Sequence, residues 1–121
     1  MSFKATVRHT GDVAIVDLAG RLTLGEGSGT LRSTIKDLIS QGEKKILLNL
    51  KDVTYIDSSG LGEMVGSYAS ASNAGGKIKL LNAQKRVHDL LTVTKLYAVF
   101  EDFSNEAIAL ISFTGSEAAG A

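Results

Sequence analysis

The stretch Ile46-Leu47-Leu48-Asn49-Leu50-Lys51-Asp52-Val53-Thr54-Tyr55-Ile56-Asp57-Ser58-Ser59-Gly60-Leu61-Gly62 carries a strongly apolar segment into a turn of small and polar residues. Ile46 to Leu50 shows no alternation of apolar and polar positions, the pattern of a strand covered on both faces by crossover helices. It is expected near the centre of a sheet. Beyond Val53, Tyr55 and Ile56 the chain reaches Asp57-Ser58-Ser59-Gly60, and the apolar period then changes to Leu61, Met64, Val65, Tyr68 and Ala69, which predicts a helix. A buried strand that turns directly into a helix is a building unit of α/β folds.

Upstream, the apolar Phe3, Ala5 and Val7 alternate with Lys4, Thr6 and Arg8, the period of a strand with one wet face. Gly11-Asp12 turns it, and Val13 to Leu18 is apolar on both sides for most of its length, so the pair predicts a hairpin whose second strand lies further inside and closes at Gly20. Gly25-Glu26-Gly27-Ser28-Gly29 then suggests a flexible connection, before Leu31, Ile35, Leu38 and Ile39 recur at helical spacing and Gly42 stops the helix. Downstream, Gly75-Gly76 ends the helix that began after Gly60, Lys77 to Leu81 gives a strand, and Val87, Leu90 and Leu91 mark a short helix. Ala98-Val99-Phe100 suggests a short edge strand, and Ala107, Leu110 and Ile111 the inner side of a last helix beginning near Ser104. The expected fold is a single α/β domain over residues 1–114, with an opening β-hairpin, then helices and strands alternating in a mixed sheet with the helices packed against it. Residues 115–121 are small and unpatterned, and are expected to form a flexible tail.

The composition narrows the function. The 121 residues, 44% of them hydrophobic, suffice for one real core and are too few for two ordinary domains. The absence of cysteine excludes a disulfide framework, a thiolate zinc site and a cysteine nucleophile. Thirteen basic side chains balance thirteen acidic ones, so no net field exists to hold nucleic acid or an anionic membrane, and neither is expected as a partner. Met1-Ser2-Phe3-Lys4 passes straight into the first strand pattern, and no apolar run nears the roughly 18 residues of a spanning helix. A cytoplasmic protein without membrane insertion is expected.

The candidate site is the turn itself. At a helix start, free N–H groups and the positive end of the dipole favour an attached anion by about 0.3–1 kcal/mol, so a phosphate would sit well there. Gly60 and Gly62 remove side chains beside the serines, permitting a tight turn or the close approach of another protein. Asp57 alone would cap the helix; two adjacent hydroxyls, an acid and two glycines exceed what a cap needs, which points to an external reader. A serine hydrolase would require a glycine where Ile56 stands and a histidine base within reach. His9 and His88 lie in the opening strand and a late helix and read as surface residues, with no acid or second histidine at metal-ligand spacing. The Gly25 to Gly29 loop lacks the lysine of a P-loop. Lys44-Lys45 and Lys85-Arg86 read as solvated faces.

On these residues the chain resembles the bacterial anti-sigma factor antagonists, whose fold is the STAS domain. Ile46 to Gly62 is similar to that family's signature strand and phosphorylation loop, Gly75-Gly76 fits as well, and the similar spacing extends over about Phe3 to Phe113. The resemblance implies that Ser58, directly after the aspartate, is phosphorylated by a partner that is both an anti-sigma factor and an ATP-dependent serine kinase. Unphosphorylated, the antagonist binds that partner and frees a sigma factor; phosphorylated, it lets go, and a phosphoserine phosphatase resets it. It further implies a phosphorylation loop and partner surface of Asp57, Ser59, Gly60, Leu61 and Gly62, with Leu22, Thr23 and Met64 as additional contacts. The antagonist would be no enzyme and need no cofactor, ATP and magnesium belonging to the kinase. One departure is Thr23, which holds a place where many members carry an acid, in a loop that is longer and richer in glycine than usual. A monomer is expected, because no long apolar stripe is left once each element has used one face. The alternative is a non-switching STAS subunit of a lipid transport complex or a signalling scaffold.

Overall fold

Two-residue turn chemistry sets the first pairing. The computed structural model describes residues 3–120, with side chains as far as Thr114. In it β1 (Lys4–Thr10) and β2 (Val13–Leu22) form the expected antiparallel hairpin, Thr10 opposite Val13, with Gly11 at φ +60° in the turn. From β2 onward every pairing is parallel, through β3 (Lys45–Ile56), β4 (Lys77–Leu81) and β5 (Asp102–Phe103), and the strands stand in chain order. The connections are helices α1 (Glu26–Ser40), α2 (Ser58–Asn73) and α3 (Lys85–Val93), the last followed by a 3₁₀ turn, Leu96–Ala98. Helix α4 (Glu106–Gly120) closes the fold. The mixed sheet with helices against it is therefore as expected; the tail expected over 115–121 lies outside the residues whose side chains are described.

The lack of alternation in β3 has a direct cause. Ile46, Leu48 and Leu50 join the main core with Leu31, Ile35 and Met64, while Leu47 points to a smaller cluster with Val13, Ile15, Leu81, Ala109 and Phe113. Asn49 is half-buried and donates from Nδ2 to Asp17 (2.8 Å) while its Oδ1 accepts from Asn82 Nδ2 (3.1 Å). Beside this polar line Arg8 reaches both Asp17 and Glu106 (2.7 Å each), fastening the start of α4 to the hairpin. Lys79, 1% exposed, donates to Ser112 Oγ (2.9 Å) and lies 4.7 Å from the centre of the Phe113 ring.

Five sequence expectations are corrected. Strand β2 does not close at Gly20 but continues to Leu22, with Gly20 at φ +113° where the register to β3 shifts. The glycine-rich loop is no flexible connection: α1 starts at Glu26, Gly27 and Ser28 are buried, and a Cβ on Gly27 would stand 2.6 Å from the Arg21 carbonyl oxygen. Ala98 to Phe100 is not a strand, since the 3₁₀ turn places the Phe100 ring edge-on to Tyr68, centroids 5.4 Å apart, and β5 comes later. In α4 the inner positions are Ala109 and Phe113, one turn apart, with Leu110 packed against the same cluster as expected, while Ala107 and Ile111 face outward. Helix α2 likewise turns Ala69 to solvent and buries Ser67 and Ala71.

Ser67 is 3% exposed and its hydroxyl has no hydrogen-bond partner among the described residues. An unpaired buried hydroxyl costs about 1–3 kcal/mol, and alanine is the better helix former. Ser67→Ala is expected to stabilise the fold by roughly 1 kcal/mol, seen as a higher urea midpoint at unchanged slope. A lower midpoint would show that the hydroxyl is satisfied after all.

Candidate functional site

Strand β3 ends on the buried Ile56, and Asp57, in extended conformation, is the cap of α2. Its Oδ1 accepts the Gly60 N–H (2.8 Å) and its Oδ2 the Leu24 N–H (3.3 Å), while its own N–H donates to the Leu22 carbonyl (3.3 Å). One residue thus ties together the end of β3, the first turn of α2 and the loop between β2 and α1. The N–H groups of Gly60 and then Leu24 hold its carboxyl below the usual aspartate range, because they favour the charged form. The loop carrying Thr23 therefore does lie beside the turn. Thr23 is itself held there, its carbonyl accepting from the Ser28 N–H (3.0 Å) and the Ser28 hydroxyl (2.9 Å).

Ser58 opens α2, is exposed, and makes no hydrogen bond through its hydroxyl among the described residues. Ser59 is half-buried. The two glycines of the turn answer to different constraints. A Cβ on Gly60 would stand 2.0 Å from the Leu22 carbonyl oxygen, so α2 packs directly on the end of β2. A Cβ on Gly62 would meet no other part of the fold within 4 Å, and its bare backbone faces solvent one turn after Ser58. Leu61 is 7% exposed, whereas Leu22 and Met64 are fully buried. The last two are corrected from contacts to supports: their side chains fill the core beneath the turn and offer a partner no surface.

Other residues, not singled out from sequence, surround Ser58. Leu24 is 78% exposed, on the segment that Asp57 holds. On the α3 side an open groove of about 810 Å³ is lined by Tyr55, Ser58, Leu61, Arg86, Leu90 and Val93, among others, with Val93 79% exposed. Nothing in the sequence marks Leu24 or Val93; only the fold exposes them near one serine. His9 pairs with Glu43 and His88 with Asp102 (2.7 and 2.8 Å), both are exposed, and neither lines this groove. Of the described helices, none is long and apolar enough to cross a membrane.

The STAS domain family model matches residues 4–109. The chain is 31% identical to the anti-sigma F factor antagonist of Paenibacillus polymyxa over 111 residues, covering 91% of this chain and 94% of that protein. Against the anti-sigma-B factor antagonist of Bacillus subtilis (strain 168) it is 31% identical, covering 84% and 91%. Among solved structures, a crystal structure from Thermotoga maritima, of a protein provisionally assigned as an anti-sigma factor antagonist, superposes with a TM-score of 0.82 at 27% identity, over 89% of this chain and 92% of the other. The Bacillus cell fate determinant SpoIIAA in its phosphorylated form shares the fold with a TM-score of 0.70 at 23% identity, over 93% and 99%.

The unequal glycines are separable by mutation. Gly60→Ala forces its methyl group onto backbone and is expected to destabilise by about 1–3 kcal/mol, whereas Gly62→Ala is expected to be neutral or stabilising by up to about 1 kcal/mol. Urea unfolding of the pair checks this, and equal effects would refute the packing account. For Asp57 the sign follows from its lowered folded value: the charge-dependent stabilisation is complete above the unfolded value near pH 4 and is lost as pH falls through the folded one. The stability gap between wild type and Asp57→Asn is expected to close on acidification from about pH 4 downward. A gap independent of pH would leave the carboxylate charge without a part.

Proposed function

The chain belongs to the STAS domain family, and we propose that it is an anti-sigma factor antagonist, a binding module switched by phosphate on Ser58. The observation that carries this reading is the Ser58 hydroxyl, exposed and free of hydrogen bonds at the first position of α2, with Asp57 fixing the turn around it and Gly62 leaving the adjacent surface bare. A hydroxyl so placed can enter another protein's active site without breaking any contact of its own fold.

In this reading the unphosphorylated turn docks on an anti-sigma factor that is also a serine kinase, and docking displaces the sigma factor. The kinase then transfers phosphate: Ser58 Oγ bonds to the γ-phosphorus of ATP held by the partner, the bond from that phosphorus to the ADP oxygen breaks, and the hydroxyl proton passes to a base of the partner. The chain supplies an acceptor and a surface, and is a substrate, not a catalyst. Phosphate adds about −1.5 to −2 charges beside the Asp57 carboxylate, on a surface that had docked as hydroxyls and backbone. A phosphoserine phosphatase removes it by hydrolysis and restores the docking surface. Ser59, Gly60, Leu61 and Gly62 shape the docked surface, with Leu24 and Thr23 from the neighbouring loop. The relatives' names support the anti-sigma partner, and the cytoplasm, where sigma factors act, is the compartment this assigns.

Burying an unpaired charge in an interface typically costs 2–5 kcal/mol, so Ser58→Asp is expected to weaken partner binding by roughly thirty-fold to a few thousand-fold, while Ser58→Ala binds and never releases. Affinity capture from the native cell extract with wild type and both variants, followed by phosphate mapping on recovered wild type, measures this. Loss of a kinase-like anti-sigma factor with Ser58→Asp supports the switch. Equal retention of a transporter or scaffold by all three, with no phosphate on Ser58, would replace it with a purely structural subunit.

A further inference from the structure

Two arginines rest on one tyrosine without an acid. The guanidinium carbons of Arg21 and Arg86 lie 4.6 and 4.9 Å from the centre of the Tyr55 ring. Among the described residues neither has a carboxylate within ion-pair distance, whereas Arg8 is held by Asp17 and Glu106, Arg32 by Glu63, and Lys85 by Asp89. Arg86 lines the same groove as Ser58. Tyr55 is half-buried and both arginines are exposed; a solvent-exposed guanidinium held only by an aromatic face is weakly held and is released readily to an oxyanion, with which it makes paired, charge-assisted hydrogen bonds.

The expectation from sequence that a phosphate would sit well at this helix start is corrected by the fold: the turn itself is poorly suited to hold one on Ser58. Asp57 already occupies the Gly60 and Leu24 N–H groups, and its carboxylate is a like charge next door. Of the charged groups sharing the groove, which are Asp57, Lys85, Arg86 and Asp89, Lys85 is already paired with Asp89. Arg86 is the cation left without an acid. We propose that Arg86, seconded by Arg21 on the same ring, is the internal receptor for phosphate on Ser58, leaving Tyr55 to pair with it across the mouth of the groove. This rests on Ser58 as the acceptor and adds how the phosphorylated state is held: the phosphate both charges the surface and draws α3's arginine across the apolar floor lined by Leu61, Leu90 and Val93, the last two on α3 itself. A partner that uses that floor loses it at the same moment.

The test uses the full chain with phosphoserine installed at position 58 during synthesis, so that no kinase is needed, and follows the phosphate by ³¹P NMR against pH. In wild type the second phosphate ionisation is expected to lie lower than in Arg86→Gln by about half a pH unit or more, as an adjacent cation favours the dianion. Lys85→Gln is expected to leave it within a fraction of that difference, and Arg86→Lys to restore part of it. ¹H–¹⁵N spectra of the unphosphorylated variants, unchanged away from position 86, establish that each is folded. Identical phosphate titrations in wild type and Arg86→Gln would overturn the proposal. An unphosphorylated Ser58 in cells would refute the functional reading but leave this titration standing, so the two failures are distinguishable.

Discussion

The contact of the first turn of α2 with the end of β2 is the constraint on which the rest of the site depends. Gly60 sits so close to the Leu22 carbonyl that no side chain fits, and Asp57 closes the same junction from above by accepting N–H groups from Gly60 and Leu24. Two backbone segments far apart in sequence are thereby locked at one spot. A protein–protein switch needs such a place, because a single added phosphate can alter docking sharply only where the surrounding backbone does not yield to accommodate it. Rigid parts underneath, a bare hydroxyl on top: that division of labour separates buried Leu22 and Met64 from exposed Ser58 and Gly62.

The surface around Ser58 joins unlike materials. On one side the loop from β2 presents an exposed leucine, on the other α3 presents Leu90 and Val93 over an open groove with Arg86 at its rim. Apolar contact area with a polar, chargeable centre is the composition of an interface whose affinity can be set by one group. The opposite sheet face is built otherwise. There α4 is held by Ala109 and Phe113 together with polar fastenings through Arg8 and Lys79, at a distance from the turn set by the thickness of the sheet.

Much of this was legible in the sequence, and the reasons are physical. An unbroken apolar strand flowing into Asp-Ser-Ser-Gly and then a helical period could only be a covered strand, a turn and a helix, and the hairpin and strand–helix alternation followed from period alone. What could not be read were the properties that exist only between segments. Gly25 to Gly29 reads as mobile because glycine permits it, whereas Gly27 is small because α1 sits on the backbone of β2. Met64 reads as a partner contact because it follows the motif, and Leu22 because the resemblance sets its loop beside the turn; that both side chains point into the core is invisible in one dimension. Asn49 interrupts an apolar run for a reason located on Asp17 and Asn82. Lys85-Arg86 read as one solvated pair, although in the fold its members differ: one has an acid and the other a tyrosine.

The strands of this sheet lie side by side in the order in which they are synthesised. Each strand emerging from the ribosome therefore finds its neighbour already made, and no strand waits for a later segment to slip in between, which limits the time that unpaired edges stay open. The serine-bearing turn needs only β2, α1, β3 and α2, so it can be shaped before the far wall of the groove, α3, has been translated. The serine-bearing face and the α3 wall of the groove thus have separate birthdays, and a lineage of such chains can remodel the later part without rebuilding the earlier one.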